Sequence, residues 1–307
     1  MSMRTDLALE ARELFLKNAD IKDKILSSKN KKDNIIIQSV EILDERTSQV
    51  IKKPVGKYIT LESEDFKLSD PALIKKASYV LKEQLLNILK TISYKTILIV
   101  GLGNRNITSD ALGPQVISKV MVTRHLKEYM PEHIDDDIMP VSAISPGVLG
   151  TTGIETVEIL KGIVNNIKPK LVIVIDSLAS KSIERISSTI QIADTGIVPG
   201  AGVGNVRNEI SQESLGIPVV AIGVPMVVDA ATIATDSLDM FIEKVKENNE
   251  GEKLYNILNE LTGNDKYEMI REVLSPNNYN LIVTPKEIDD LIENMSSVIA
   301  RGINFAV

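Results

Sequence analysis

The chain has no cysteine in 307 residues, and that absence removes thiol nucleophiles, disulfides and thiolate metal sites together. Histidine is almost missing as well. The two present, His125 and His133, fall late in or just after a polar helical stretch and lack the H-E-x-x-H spacing of a zincin. No G-x-S-x-G elbow occurs, which disfavours a serine-triad hydrolase. Nowhere do 18 apolar residues run together, and the amino-terminal MSMRTDLALEARE is charged and amphipathic with no apolar h-region. Positive charge is also scarce. Lys and Arg number 35 against 42 Asp and Glu, for a net charge of −7, and the only dense basic cluster is KNKK at Lys29 to Lys32. That lacks the electrostatic footprint of a nucleic-acid binder, and the cluster reads as a solvated loop. The expectation is a soluble intracellular protein with no membrane and no direct nucleic-acid partner.

What the chain does have is apolar content, 43% of its residues, enough for a substantial core in one large α/β domain. Thr5 to Lys17 places Leu7, Ala11, Leu14 and Phe15 on one helical face, with Thr5 as N-cap. Ile35 to Val40, Gln49 to Lys53 and Tyr58 to Glu62 are short β-rich runs, predicting a small subsidiary meander over residues 35–62. Pro71 to Ile92 reads as a long helix. Then βα alternation takes over: strand Ile97 to Val100, helix Gly113 to Leu126, strand Val141 to Ile144, helix Ile154 to Ile167, and strand Leu171 to Ile175. A short helix near Ser182, strand Ser188 to Ile192, a glycine-rich loop from Gly196 to Asn205, strand Pro218 to Ile222 and helix Asp229 to Lys246 follow. Residues 252–307 read as a helical tail ending in Lys286 to Gly302. The order predicts an α/β fold with a doubly wound, mostly parallel sheet flanked by helices, as a single α/β domain over 1–307.

Two strands in this reading end in an aspartate. Ile97 to Val100 breaks into a glycine turn at Gly101 and Gly103 and delivers Asp110, and LVIVIDSLAS runs from Leu171 straight into Asp176. The carboxyl ends of parallel strands carry the ligand crevice of an open α/β sheet, so Asp110 and Asp176 form a candidate dyad. Two carboxylates close together do not both ionise cheaply: one keeps a proton while the other accepts one from water. With neither metal nor covalent nucleophile, the ionised member would act as general base on water and the protonated member would polarise an amide carbonyl. The plainer reading is that Asp110 caps the next helix and Asp176 stabilises the turn after its strand. SPGVLGTTG at Ser145 to Gly153 offers backbone donors around Gly147, Gly150, Thr151, Thr152 and Gly153 for an extended peptide or an oxyanion, and Gly200 and Gly202 lie in the other glycine-rich segment. The plainer alternative there is a turn leading into a helix.

Competing patterns are weaker. GLGNRN resembles half of a dinucleotide fingerprint, but Asn106 stands where the third glycine belongs, and ten residues separate Gly103 from Pro114. A nucleotide- or nucleoside-binding module built on Gly101 and Gly103 is nonetheless the alternative from another class. Asp194-Thr195-Gly196 spells the D-T-G of pepsin-like proteases, whose fold needs a second such triplet that this chain does not supply.

The chain resembles the germination proteases of spore-forming Firmicutes, themselves similar to hydrogenase maturation endopeptidases. The resemblance is carried by RTDLALEA at Arg4 to Ala11, GLGNRNITSDALGP at Gly101 to Pro114, VTRHL at Val122 to Leu126 and PVSAISPGVLGTTGIET at Pro140 to Thr156. It continues through IDSLAS and ERI, DTGIVPGAGVGN at Asp194 to Asn205 and IPVVAIGVPMVVDA at Ile217 to Ala230. It implies an endopeptidase that degrades small acid-soluble spore proteins during germination, without a cofactor, by an atypical aspartic mechanism whose two essential aspartates match Asp110 and Asp176. It further implies a homotetramer in the spore core, made as a zymogen that removes its own propeptide. Only Met1 to Met3 precede RTDLALEA, where the family has a longer leader, so a very short prosegment or a mature-like start is expected. The related enzyme reading is a metal-recognising maturation endopeptidase, in which carboxylates and a histidine grip nickel.

Overall fold

The computed structural model describes residues 5–15, 24–135, 138–202, 204, 207–247, 261–274 and 281–307. Thr5–Leu7, with a bend at Asp6, precede helix α1 (Ala8–Phe15), so the helix starts later than expected and Thr5 is not its N-cap. Strands β1 (Ile25–Lys32) and β2 (Ile35–Ile42) form an antiparallel hairpin through Asp33 and Asn34, both at positive φ (49° and 64°), as a two-residue turn demands. The KNKK cluster therefore belongs to a strand, not a loop. It lies on the sheet's exposed edge, where lysines discourage pairing with another chain. The strand expected at Gln49 to Lys53 is instead covered by helix α2 (Glu45–Ile51). Asp44 accepts the Thr47 N–H at 2.8 Å as its N-cap, and Lys52 ends it at φ 59°. Strand β3 (Gly56–Glu62) and helix α3 (Pro71–Leu89) follow; Asp70 caps α3 and Pro71 opens its first turn.

Strand β4 (Ile97–Gly101) is buried along its whole length. The expected long helix after it breaks into α4 (Leu112–Ile117) and α5 (Arg124–Tyr129). At the break Thr123 donates its hydroxyl to the Met139 carbonyl and accepts the Val141 N–H, which pins the segment to strand β5 (Val141–Ile144). Helices α6 (Leu149–Thr152) and α7 (Thr156–Ile167) lead to strand β6 (Leu171–Ser180), which extends well past the expected end at Ile175. Strand β7 (Thr189–Ala193), helix α8 (Gln212–Leu215), strand β8 (Val219–Asp229), helices α9 (Ala230–Glu247) and α10 (Gly263–Leu274), strand β9 (Ile282–Val283) and helix α11 (Ile288–Ala306) complete the order. Part of the expected tail, 252–260 and 275–280, lies outside the described residues, as do Val203, Asn205 and Val206 of the glycine-rich loop.

The strands form one mixed sheet in the order β1-β2-β3-β7-β8-β6-β4-β5, with β9 added at the end of β8. The wound parallel part is β5-β4-β6-β8, and the meander joins it through β3 and β7 as an antiparallel wing of the same sheet. Helices α3, α4 and α11 cover one face, α7 and α8 cover the other, and α1 and α2 close over the antiparallel wing. The uninterrupted Val/Ile/Leu runs of β4, β6 and β8 are thus explained, because each is buried on both faces. Among the described residues no helix is long and apolar enough to cross a membrane.

Candidate active site

The register of the parallel strands decides where the two aspartates go. Gly101 at the end of β4 pairs with Ile175, and the Leu102 N–H donates to the Ile175 carbonyl at 2.8 Å, so the loop leaving β4 starts beside Asp176. The start of α4 presses on the strand end: a Cβ at Gly101 would lie 2.2 Å from the Gly113 carbonyl oxygen. This contact folds residues 102–112 back over the sheet edge. Gly103 sits at φ 108°, and a Cβ there would lie 2.0 Å from the Asp110 carbonyl oxygen. The two glycines of GLGNRN therefore serve a close backbone approach that presents Asp110, rather than a turn running directly into a helix N-terminus.

Asp110 closes a 3-10 turn, Thr108–Asp110, and its Oδ2 accepts the Asn104 N–H at 2.8 Å. Burial pushes its carboxyl up to about 6, against the lowering effect of that hydrogen bond. Asp176 lies inside β6 at 6% exposure, and its Oδ1 accepts the Ser177 N–H at 2.9 Å. Burial first, then the negative charges of Asp110 and Asp6, hold it well above the usual carboxylate range. The two carboxyls are coupled, so their titration belongs to the pair.

Both aspartates line one cleft of about 470 Å³, together with Gly147, Val148, Leu149, Gly150, Pro199 and Gly200. Of the residues expected to bind substrate, Gly147, Gly150 and Gly200 are in its wall. Thr151 and Thr152 bond their hydroxyls to the Val148 carbonyl within α6, and Gly153 closes that turn at φ 68°. Gly202 packs on Asp6 instead, its N–H donating to that carboxylate. Asp6, Glu155 and Arg207 also line the cleft and were not singled out by strand-end reasoning, because none follows a β run. Asp6 does lie within RTDLALEA, one of the stretches that carry the family resemblance.

The other candidates sit elsewhere. Asp194 accepts the Lys57 N–H at 2.8 Å and braces the turn into β3, a structural use of the D-T-G triplet. His125 and His133 are exposed and do not line the cleft, and among the described residues no three His, Cys, Asp or Glu side chains are grouped so as to hold a metal ion.

Residues 5–259 and 242–307 match the family model described as germination protease. This chain belongs to the germination protease family. It is 49% identical to the germination protease of Clostridium perfringens (strain SM101 / Type A), covering all of this chain and 95% of that one. It is 51% identical to that of Caldanaerobacter subterraneus subsp. tengcongensis, over 100% and 94% of the two chains, and 42% identical to that of Bacillus cereus (strain 03BB102) with the same coverage. Among solved structures, the [NiFe] hydrogenase maturation protease HycI from Thermococcus kodakarensis aligns over 47% of this chain and 80% of its own, at 22% identity and a TM-score of 0.30. The protein is a protease of germination.

Proposed function

We propose that this protease is an endopeptidase of the atypical aspartic type, acting on small acid-soluble spore proteins in the spore core. The observation that carries the reading is the convergence on one cleft of Asp110 and Asp176, both with carboxyls raised above the ordinary value by burial. Ionised Asp110 takes a proton from a water molecule as that water attacks the scissile carbonyl. Protonated Asp176 donates a hydrogen bond to the carbonyl oxygen and stabilises the charge that develops there. The proton gained by Asp110 then passes to the leaving amine as the C–N bond breaks, which returns the pair to its starting state. The backbone at Gly147, Gly150 and Gly200 supplies donors and acceptors for an extended peptide, with Thr151, Thr152, Gly153 and Gly202 shaping the loops behind it.

A homotetramer accompanies this reading. Met121, Tyr129 and Met130 are large apolar side chains at 65%, 77% and 48% exposure, a surface that subunit contacts would cover. Sedimentation of the purified protein tests the assembly.

The decisive assay incubates the purified protein with a small acid-soluble spore protein and maps the cut by mass spectrometry. Asp110→Asn and Asp176→Asn should each lower cleavage by roughly three orders of magnitude or more while leaving the circular dichroism spectrum intact. Wild-type rates from both variants would end the aspartic mechanism. Full activity after exhaustive chelation is the companion expectation.

A further inference from the structure

Asp6 reaches the cleft from the segment before α1, more than a hundred residues away in sequence from either aspartate of the pair. Its main-chain N–H donates to the Ala179 carbonyl at 2.9 Å, and its Oδ2 accepts the Ala179 N–H, also at 2.9 Å. Ala179 is where the pairing of β6 with β8 slips by one residue, between Leu178 and Ala179, so Asp6 satisfies a backbone donor at the irregularity. The Gly202 N–H adds a second donor to the same carboxylate. A Cβ at position 202 would lie 2.2 Å from Asp6 Oδ2, so that position must be glycine for the contact to exist. The bracing acts on the strand that carries Asp176, three residues beyond it.

We propose that Asp6 is a third acidic residue of this site: a positioning residue that braces the β6 end and sets how firmly Asp176 holds its proton. Its catalytic consequence rests on the aspartic reading above. The charges involved come from several elements. Asp176 is faced by Asp110 from the loop after β4 and by Asp6 from the amino-terminal segment. Asp6 is faced by Lys53, just after α2, and by Glu10 of α1, while Glu155 and Arg207 line the same cleft. Lys53 Nζ donates to the Asp6 carbonyl at 2.8 Å and to the Thr5 carbonyl at 3.3 Å, so it both fastens this segment and offsets its charge. Burial raises the Asp6 carboxyl above its ordinary value, with the Lys53 ammonium and the two backbone N–H donors opposing that rise and favouring the ionised form. A negative charge here makes Asp176 harder to ionise.

Asp6→Asn removes that charge while keeping an oxygen to accept the Ala179 N–H. Carbon-13 titration of the aspartate carboxyl carbons, with Asp176 assigned by its loss in Asp176→Asn, should show Asp176 ionising at lower pH, by about half a unit or more. The alkaline limb of kcat/KM should move down in step. Lys53→Gln, which removes the offsetting charge, should move both readouts the opposite way and serves if Asp6→Asn folds poorly. Unchanged Asp176 titration in the folded variant overturns the proposal, whatever happens to stability or rate. The titration needs no substrate, so a failure of the aspartic mechanism, seen as cleavage indifferent to Asp110→Asn, is told apart from a failure of the role given to Asp6.

Discussion

At Gly103 a hydrogen where any other residue carries a Cβ decides whether Asp110 reaches its position. The backbone stands at φ 108°, and an added Cβ would fall 2.0 Å from the Asp110 carbonyl oxygen and 3.0 Å from its Oδ1. No side-chain rotation relieves a clash with backbone, so Gly103→Ala must displace the turn. It should destabilise the protein by about 2 kcal/mol or more, read by urea unfolding. Activity should fall further than stability, by roughly two orders of magnitude, because small displacements of a catalytic group are heavily penalised. Wild-type cleavage by that variant would mean that the loop position of Asp110 is irrelevant to the reaction.

Between elements, a cluster of ion pairs around Arg185 fixes α1 and hence Asp6. Arg185, in the turn after β6, pairs with Glu10 at 3.2 Å, Glu13 at 3.0 Å and Glu62 of β3 at 3.0 Å. Glu10 is 2% exposed and also accepts the N–H groups of Lys181 and Ser182, along with the Thr5 hydroxyl. Removing the guanidinium leaves a buried carboxylate without its cation, a change that typically costs about 3–5 kcal/mol. Arg185→Ala should therefore lower the unfolding midpoint sharply, whereas Arg185→Lys, which keeps the charge but not the forked geometry, should recover part of the loss. Thermal unfolding of the two variants side by side checks this.

Much of this architecture was legible in local patterns, and its exceptions have local causes. The apolar runs at Ile97, Leu171 and Val219 announced parallel strands because burial on both faces leaves no polar alternation. The strand ends then pointed to Asp110 and Asp176. Gln49 to Lys53 misled because Val50 and Ile51 are β-branched, while the deciding signal was Asp44 three residues ahead of Thr47. The KNKK strand was hidden because its partner, not its own sequence, orders it: Lys32 pairs with Ile35 across a two-residue turn. Asp6 was out of reach of strand-end reasoning, since its place depends on a contact with Ala179 across 173 positions.

For the molecule as a whole, the site carries a stability penalty that depends on pH. Asp110 has a folded-state value of about 6 against an ordinary 3.8, so the folded protein binds this proton more tightly than the unfolded chain does. Its contribution to stability is fully present below the unfolded value and is lost as pH rises through about 6. Asp176 obeys the same sign, with its loss displaced to higher pH because its value lies well above the ordinary one. Asp110→Asn should therefore unfold at a higher temperature than wild type at pH 7, with the difference shrinking toward pH 4. Asp176→Asn should show its advantage growing at alkaline pH, where the wild-type carboxyl is forced to ionise in its buried site. Calorimetric melting across pH 4 to 9 gives both curves. Parallel curves for wild type and variants would mean that neither carboxyl is perturbed, which would remove the basis for assigning Asp110 as base and Asp176 as acid.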